Sequence, residues 1–396
     1  MNMRAMLLIC TILLVPMICN AAPTVTGVSG VVQHNGTITI TGSSFGTKSQ
    51  VTPVAWDNFS QDTVGAAPST TATIGSWSSV GWKNSGDHST PFTVTTKNAR
   101  YPNSRSVVAN INEYMEAAFS GGSDSQTWFV QYWFYLGDGF AFNSNESGCL
   151  GNIKMFRMWS TGSDSANVRM NNAGTYDIYF TCEYVGGSED WHPVVSGNNW
   201  INILMGHGDP GYVPPTMVGW KNFENDITTG TWHCFQFEYR DSTVNVSDGV
   251  IRWWFDGKLI LDKRTFLTRN ASHTSFKRPK YVGFMNSVGT GSGALFYMTD
   301  PYIDNTWARV EIGNASTYNA CTHREIQPNT AWANGSITVK VNQGSFSSGA
   351  SAYLYVVHPD GSVNATGYPI TIGSGGSATD PTTPAKPMGI SVIVIP

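Results

Sequence analysis

The segment Phe129-Val130-Gln131-Tyr132-Trp133-Phe134-Tyr135 carries residue types that grip a sugar. As a strand it sets Val130, Tyr132, Phe134 and Leu136 on one face and Gln131, Trp133 and Tyr135 on the other. Indole and phenol rings stack on the apolar face of a sugar ring, while amides, guanidinium groups and acids bond its hydroxyls. If the second face opens onto a groove, carbohydrate is the ligand class it suits. The competing expectation is that a second layer or another domain covers it. Segment 114–119, taken as a neighbouring strand, would set Glu116 beside Gln131, although a lone strand carboxylate is more often a solvated surface residue. Lys154 and Arg157 are at odd spacing, so one face of a regular strand does not hold both.

Two reactions on a polysaccharide place different demands on such a face. Retaining hydrolysis needs two carboxylates about 5 Å apart, and the chain has no compact acidic strand motif; Glu183, Glu189 and Asp190 cluster instead around a Gly186-Gly187 loop. Elimination beside a uronate needs a Tyr or His to move the proton and Arg, Gln or Asn to hold the acid group. Tyr135, His207, Arg105 and Gln131 are the candidates for that chemistry, and Trp133, Glu116, Arg252 and Trp254 those for substrate contact. His207 lies in a Met-Gly-His-Gly-Asp-Pro-Gly loop, where a plain surface histidine is the commoner finding. Asp300 and Asp304, with Glu311 nearby, are candidate oxygen ligands for a structural calcium, without EF-hand spacing.

These side chains need a β frame. Residues 231–264, TWHCFQFEYRDSTVNVSDGVIRWWFDGKLILDKR, read as a strand, a polar excursion and a hairpin turning at Asp256-Gly257, a dipeptide that tolerates the positive φ of a type I′ turn. His233, Phe235, Phe237 and Tyr239 alternate with Trp232, Cys234, Gln236, Glu238 and Arg240, which predicts a ring-rich face inward. The two-residue turn sets Trp254 opposite Leu259 and Trp253 opposite Ile260. The two tryptophans therefore point to opposite faces, with Trp254 beside Arg252 on the outer or groove side. Further strands are expected over 106–110, 114–119, 128–136, 152–159, 176–184, 200–205, 281–285 and 294–303.

Composition agrees with this frame. The 41 Gly and 19 Pro in 396 residues, with 13% charged residues, fit many short strands and turns. Aromatics at 12%, 14 Trp among them, exceed what one core needs, so some are expected against solvent or ligand. A net charge of −4 leaves no basic stripe for nucleic acid. Residues 1–21, with Arg4, an apolar run and a small-residue end, have the pattern of a secretory signal peptide. The mature protein is expected to be secreted, periplasmic or extracellular, monomeric and without a transmembrane segment. Cys149, Cys182, Cys234 and Cys321 then remain, an even number that suggests disulfides in an exported chain. Cys182 with Cys234, both mid-strand, is the preferred pair.

Ile40-Thr41-Gly42-Ser43-Ser44-Phe45-Gly46 resembles the opening of an IPT/TIG immunoglobulin-like domain, and AWANGSITVKV followed by AYLYVVHPDGSVN resembles its second half. Together they imply one immunoglobulin-like sandwich, 22–54 plus 319–373, interrupted by an insertion, 55–318. Within the insertion, WHCFQFEY and DGVIRWWFDGKLI resemble back-half strands of concanavalin A-like lectin/glucanase domains, and FYMTDPYIDNTWARVEIG resembles their last strand. The expected fold is all-β: a concanavalin-like jelly-roll β-sandwich plus a smaller, sequence-discontinuous immunoglobulin-like β-sandwich, with 374–396 a flexible linker and tail. The resemblance specifies fold more than activity. It implies polysaccharide recognition on the concave face, with lyase chemistry favoured over glycoside hydrolysis. Lyase signatures of the R-S-E-L-R and Q-I-H kind are only approached, by Ser104-Arg105-Ser106 and Gln131-Tyr132-Trp133. The alternative from another class is a non-catalytic adhesin or scaffold module, which calls for a flat exposed apolar patch.

Overall fold

The computed structural model describes residues 21–77, 82–84, 92–110, 115–118, 125–138, 152–159, 165–172, 176–183, 201–205, 228–266, 268–269, 271, 274–276, 278–286 and 295–373. The signal-peptide pattern, His207, Cys149 and the tail lie outside them, apart from the last residue of the leader. The described chain is all-β and antiparallel, in four sheets. A nine-stranded and a seven-stranded sheet form the jelly-roll sandwich, and two four-stranded sheets form the smaller one. Among the described residues no helix is long and apolar enough to cross a membrane.

The small sandwich is assembled from distant segments. Thr37–Ser43 pairs with Ser336–Lys340, so the strand near the start of the chain is completed by one some 300 residues later, Ile38 lying opposite Val339 and Ile40 opposite Ile337. Its facing sheet is built from Arg324–Gln327, Arg309–Gly313, Ser351–Val357 and Tyr368–Thr371. Alternate apolar residues of both sheets, including Val28, Ile38, Ile40, Val310, Ile312, Leu354 and Val356, meet in one buried core. One boundary moves. Arg309–Gly313, which the resemblance assigned to the larger sandwich, pairs instead with Arg324–Gln327 and Ser351–Val357. Trp307 anchors the crossing before it, its indole N–H donating to the carbonyls of Trp128 at 3.1 Å and Tyr239 at 3.2 Å.

In the nine-stranded sheet, Trp232–Arg240 lies between Thr127–Leu136 and Gly249–Phe255. The alternation read from sequence is realised: Phe235, Phe237, Tyr239, Tyr132, Phe134, Ile251 and Trp253 are buried on the ring-rich face, where Phe235 stacks on Phe237. The hairpin turns where expected, with Asp256 at φ 46° and Gly257 at φ 74°. Glycine is required at 257 on a second count, since a Cβ there would stand 2.9 Å from the carbonyl oxygen of Cys321. Trp254 lies opposite Leu259, but a register shift sets Trp253 opposite Leu261 rather than Ile260.

Candidate functional site

The outer face of the nine-stranded sheet is not a groove. Gln131, Gln236, Glu238, Arg252 and Trp254 lie beneath the strands Arg309–Gly313 and Arg324–Gln327 of the small sandwich. Gln236 donates to Gln131 at 2.8 Å and to Glu311 at 3.2 Å, and accepts from Arg324 at 2.7 Å. Arg309, buried, donates to Glu238 at 2.7 Å, to Glu311 at 2.6 Å and to the Tyr318 hydroxyl at 3.0 Å. Arg252 pairs with Glu238 and lies over the rings of Trp307 and Trp254 at 5.1 and 5.4 Å. Gln131 is wholly buried, and Trp133 and Tyr135 are 6% and 8% exposed. The excess of aromatics therefore serves a sheet covered on both faces: Trp56, Phe129, Tyr302 and Trp307 form a second core at this seam.

Each remaining candidate has a definite place. Tyr135 packs against Trp232 and edge-on to Tyr297, and burial, with Asp138 nearby, pushes its phenol up. Arg105 donates to the carbonyls of Phe59, Ser60 and Asp62, so its guanidinium organises the 59–62 loop. Glu116 does not stand beside Gln131: its strand, Met115–Ala118, lies in the seven-stranded sheet, paired with Trp82–Asn84 and Arg278–Asn286. Asp300 and Asp304 do not combine into a calcium site. Asp300 is held by Arg100 at 2.7 Å, while Asp304 pairs with Lys48 and accepts from the Tyr302 hydroxyl at 2.9 Å. The backbone turns between them, because Asp300 adopts φ 51° and the register shifts between Thr299 and Tyr302. Among the described residues no group of three His, Cys, Asp or Glu side chains is placed to hold a metal.

The preferred disulfide is also not formed. Cys234 and Cys321 carry free, buried thiols. Cys182 lies in the seven-stranded sheet, in register with Ala166, whereas Cys234 shares the covered outer face of the other sheet with Trp232 and Gln236.

Arg100 closes the seam at its other end. It grips Glu325 with two bonds, 2.6 and 2.9 Å, and lies 4.3 Å over the Trp133 ring. Burial alone would raise the Glu325 carboxyl, but Arg100 and His323 outweigh it and hold it down at about 2. Burial raises Asp300 to about 6, the single bond from Arg100 not offsetting it. A depressed carboxyl stabilises the fold above its unfolded pKa of 4.5 and loses that contribution as pH falls toward 2. Glu325→Gln is therefore expected to cost roughly 3 kcal/mol at pH 7. In urea titrations across pH, the gap to the unsubstituted protein should close between pH 4.5 and 2.

The seven-stranded sheet sets another group of polar residues side by side in its register. Met158 is wholly buried and pairs with Ala166. Cross-strand partners share a face, so Ala166, Val168 and Met170 fall at one set of register positions and Asn167, Arg169 and Asn171 at the alternating set. A register shift between Lys154 and Phe156 then does what regular spacing forbids: Lys154 pairs with Arg169 and Arg157 with Asn167. One row across the strands runs Leu204, Tyr179, Arg169, Lys154, Phe284. The next runs Asn202, Thr181, Asn167, Arg157, Tyr281, and a third joins Asp177, Asn171, Asn152 and Asn286. Three cationic residues thus stand at adjacent register positions, flanked by tyrosines and amides, with neighbouring strands about 5 Å apart. Sequence reasoning missed the strand Ser165–Asn172 that carries Arg169. Its signal was the weak alternation Ala166, Val168, Met170 in a polar run.

No family description and no curated relative matches the chain. Among solved structures, an endo-β-1,4-glucuronan lyase from the fungus Trichoderma reesei is 12% identical, with a TM-score of 0.40 over 59% of this chain and 93% of that one. An alginate lyase from Aplysia kurodai is 14% identical, with a TM-score of 0.35 over 54% of this chain and 86% of that one. The catalytic domain of a glycoside hydrolase family 131 protein from Coprinopsis cinerea is 15% identical, with a TM-score of 0.33 over 64% of this chain and 94% of that one. Values this low leave the functional assignment to the geometry of this chain.

Proposed function

We propose that the protein is an exported polysaccharide-recognising protein that binds an acidic polysaccharide across the outer face of the seven-stranded sheet and cleaves it by elimination. The observation that carries this reading is the register of Lys154, Arg157 and Arg169 beside Tyr179, Tyr281 and Asn167. Guanidinium and ammonium groups bind a uronate carboxylate and offset the charge that develops when the proton beside it is removed. A tyrosine at the next strand is suited to move that proton, and the amides to hold hydroxyls. In this reading the catalytic role passes from Tyr135, Gln131 and Arg105, which have structural partners, to the opposite sheet.

The small sandwich, in the same reading, is an IPT/TIG-like domain with the jelly roll inserted in it, and it acts as a back plate that covers one sheet and leaves the other for ligand. Among the described residues the exposed large apolar side chains are Val31, Val51, Val64, Val246 and Leu259, drawn from separate parts of the chain. That distribution gives no support to an adhesive patch.

Incubation with a panel of polyuronates and neutral glucans should give retention on at least one polyuronate and rising ultraviolet absorbance from unsaturated chain ends. New reducing ends without that absorbance would assign hydrolysis instead, and retention on neutral glucans alone would overturn the acidic-ligand reading.

A further inference from the structure

We propose that the seam between the two sandwiches holds a second binding site, separate from the seven-stranded sheet and suited to a single neutral sugar ring. A cavity of about 160 Å³ opens there, between the Asp256-Gly257 turn and the segment from Thr322 to Arg324. A cavity of about 150 Å³ accepts a six-membered ring such as benzene, so one pyranose ring fits with its substituents in the mouth. Trp133 and Trp232 supply aromatic wall, and the Trp133 indole N–H is buried with no acceptor among the described residues. A buried donor without a partner is costly, and a ligand hydroxyl would satisfy it.

The charges around the cavity select against an anion. Arg324 reaches its edge, but it is already engaged by Gln236 at 2.7 Å, by the Gly257 carbonyl at 3.0 Å and by Glu311 at 2.9 Å. His323 turns its Nε2 to Glu325 at 3.0 Å. Asp256 stands at the mouth with its side chain 39% exposed. One of its oxygens accepts from the Cys234 amide at 2.7 Å and the other meets His233 at 2.8 Å, which leaves lone pairs for a hydroxyl. A hydroxylated, uncharged ring meets an aromatic wall, an unused donor and a carboxylate acceptor, whereas a uronate meets Asp256 with its nearest cations taken. This inference does not depend on the polyuronate reading, because it uses the opposite sheet and an uncharged ligand.

The test uses the full chain with D-glucose, D-galactose and D-mannose, and with D-glucuronate as the anion. Tryptophan fluorescence and isothermal titration calorimetry are followed together. At least one hexose should give a saturable change in both, with glucuronate about tenfold weaker or worse. Trp133→Phe, which keeps a ring and removes the N–H, should weaken the hexose about tenfold. Cys234→Met, which fills the cavity, should abolish binding. Both variants are checked for an unaltered melting transition. No saturable response to any hexose, glucuronate binding as tightly as the hexoses, or binding unchanged in a folded Cys234→Met protein would each overturn the proposal.

Discussion

Arg309→Met is expected to lower the unfolding free energy by about 3–5 kcal/mol, the range for breaking a buried ion pair from one side. Arg309 is 1% exposed and bridges the two sandwiches, bonding Glu238 of the large one and Glu311 of its own strand while lying 4.0 Å over the ring of Phe129. Burial would push the Glu311 carboxyl up, but Arg309 and Arg324 together hold it below its ordinary value. Methionine keeps much of the volume and supplies none of the charge, so two carboxylates that are 0% exposed lose a shared partner. Arg252 remains to Glu238 and Arg324 to Glu311, which places the effect toward the lower end of the range. Denaturant unfolding followed by the fluorescence of the adjacent Trp128 and Trp307 reads the loss. A change under about 1 kcal/mol would show that the seam is held by its apolar contacts and not by this network.

The second large effect concerns ligand. Lys154→Ala combined with Arg169→Ala should weaken retention on a polyuronate by roughly two orders of magnitude. Each removes a charged hydrogen-bond donor, typically about 1.5–3 kcal/mol, and every 1.4 kcal/mol is about tenfold. The two residues are cross-strand partners and are expected to act on the same stretch of polymer. Binding by the unsubstituted protein should fall as salt rises, and the double variant should lose most of that dependence. Trp254→Phe is the control: Trp254 is 5% exposed beneath the small sandwich, so retention should match that of the unsubstituted protein. If the double variant binds normally and Trp254→Phe does not, ligand binding belongs to the nine-stranded sheet.

Local pattern carried much of the fold. The alternation in 127–136 and 232–240, the Asp256-Gly257 turn and the opposed faces of Trp253 and Trp254 follow from period-two side-chain geometry and turn chemistry, and the structure shows each of them. What alternation does not reveal is what lies above a face. Gln236 and Glu238 look polar and solvent-facing because partners of theirs, Glu311 and Arg324 for Gln236 and Arg309 for Glu238, come from strands far away in the chain. Polar residues paired across a buried seam have the same signature as polar residues in a groove. The register of the cationic residues was hidden for a different reason. Lys154 and Arg157 are out of phase in a regular strand, and the register shift that aligns them with Arg169 and Asn167 leaves no mark in the residues themselves. Asp300 and Asp304 show the same limit, since spacing suggested shared ligands and the bent strand gave each its own cation.

Backbone hydrogen exchange with and without a bound polyuronate tests most directly which sheet meets the ligand. Binding should slow exchange in Asn152–Trp159, Ser165–Asn172 and Tyr176–Glu183, while Thr127–Leu136 and Trp232–Arg240 keep the rates of the free protein. Protection confined to Thr127–Leu136 and Trp232–Arg240, with the seven-stranded sheet unchanged, would contradict the assignment and return the site to the covered face.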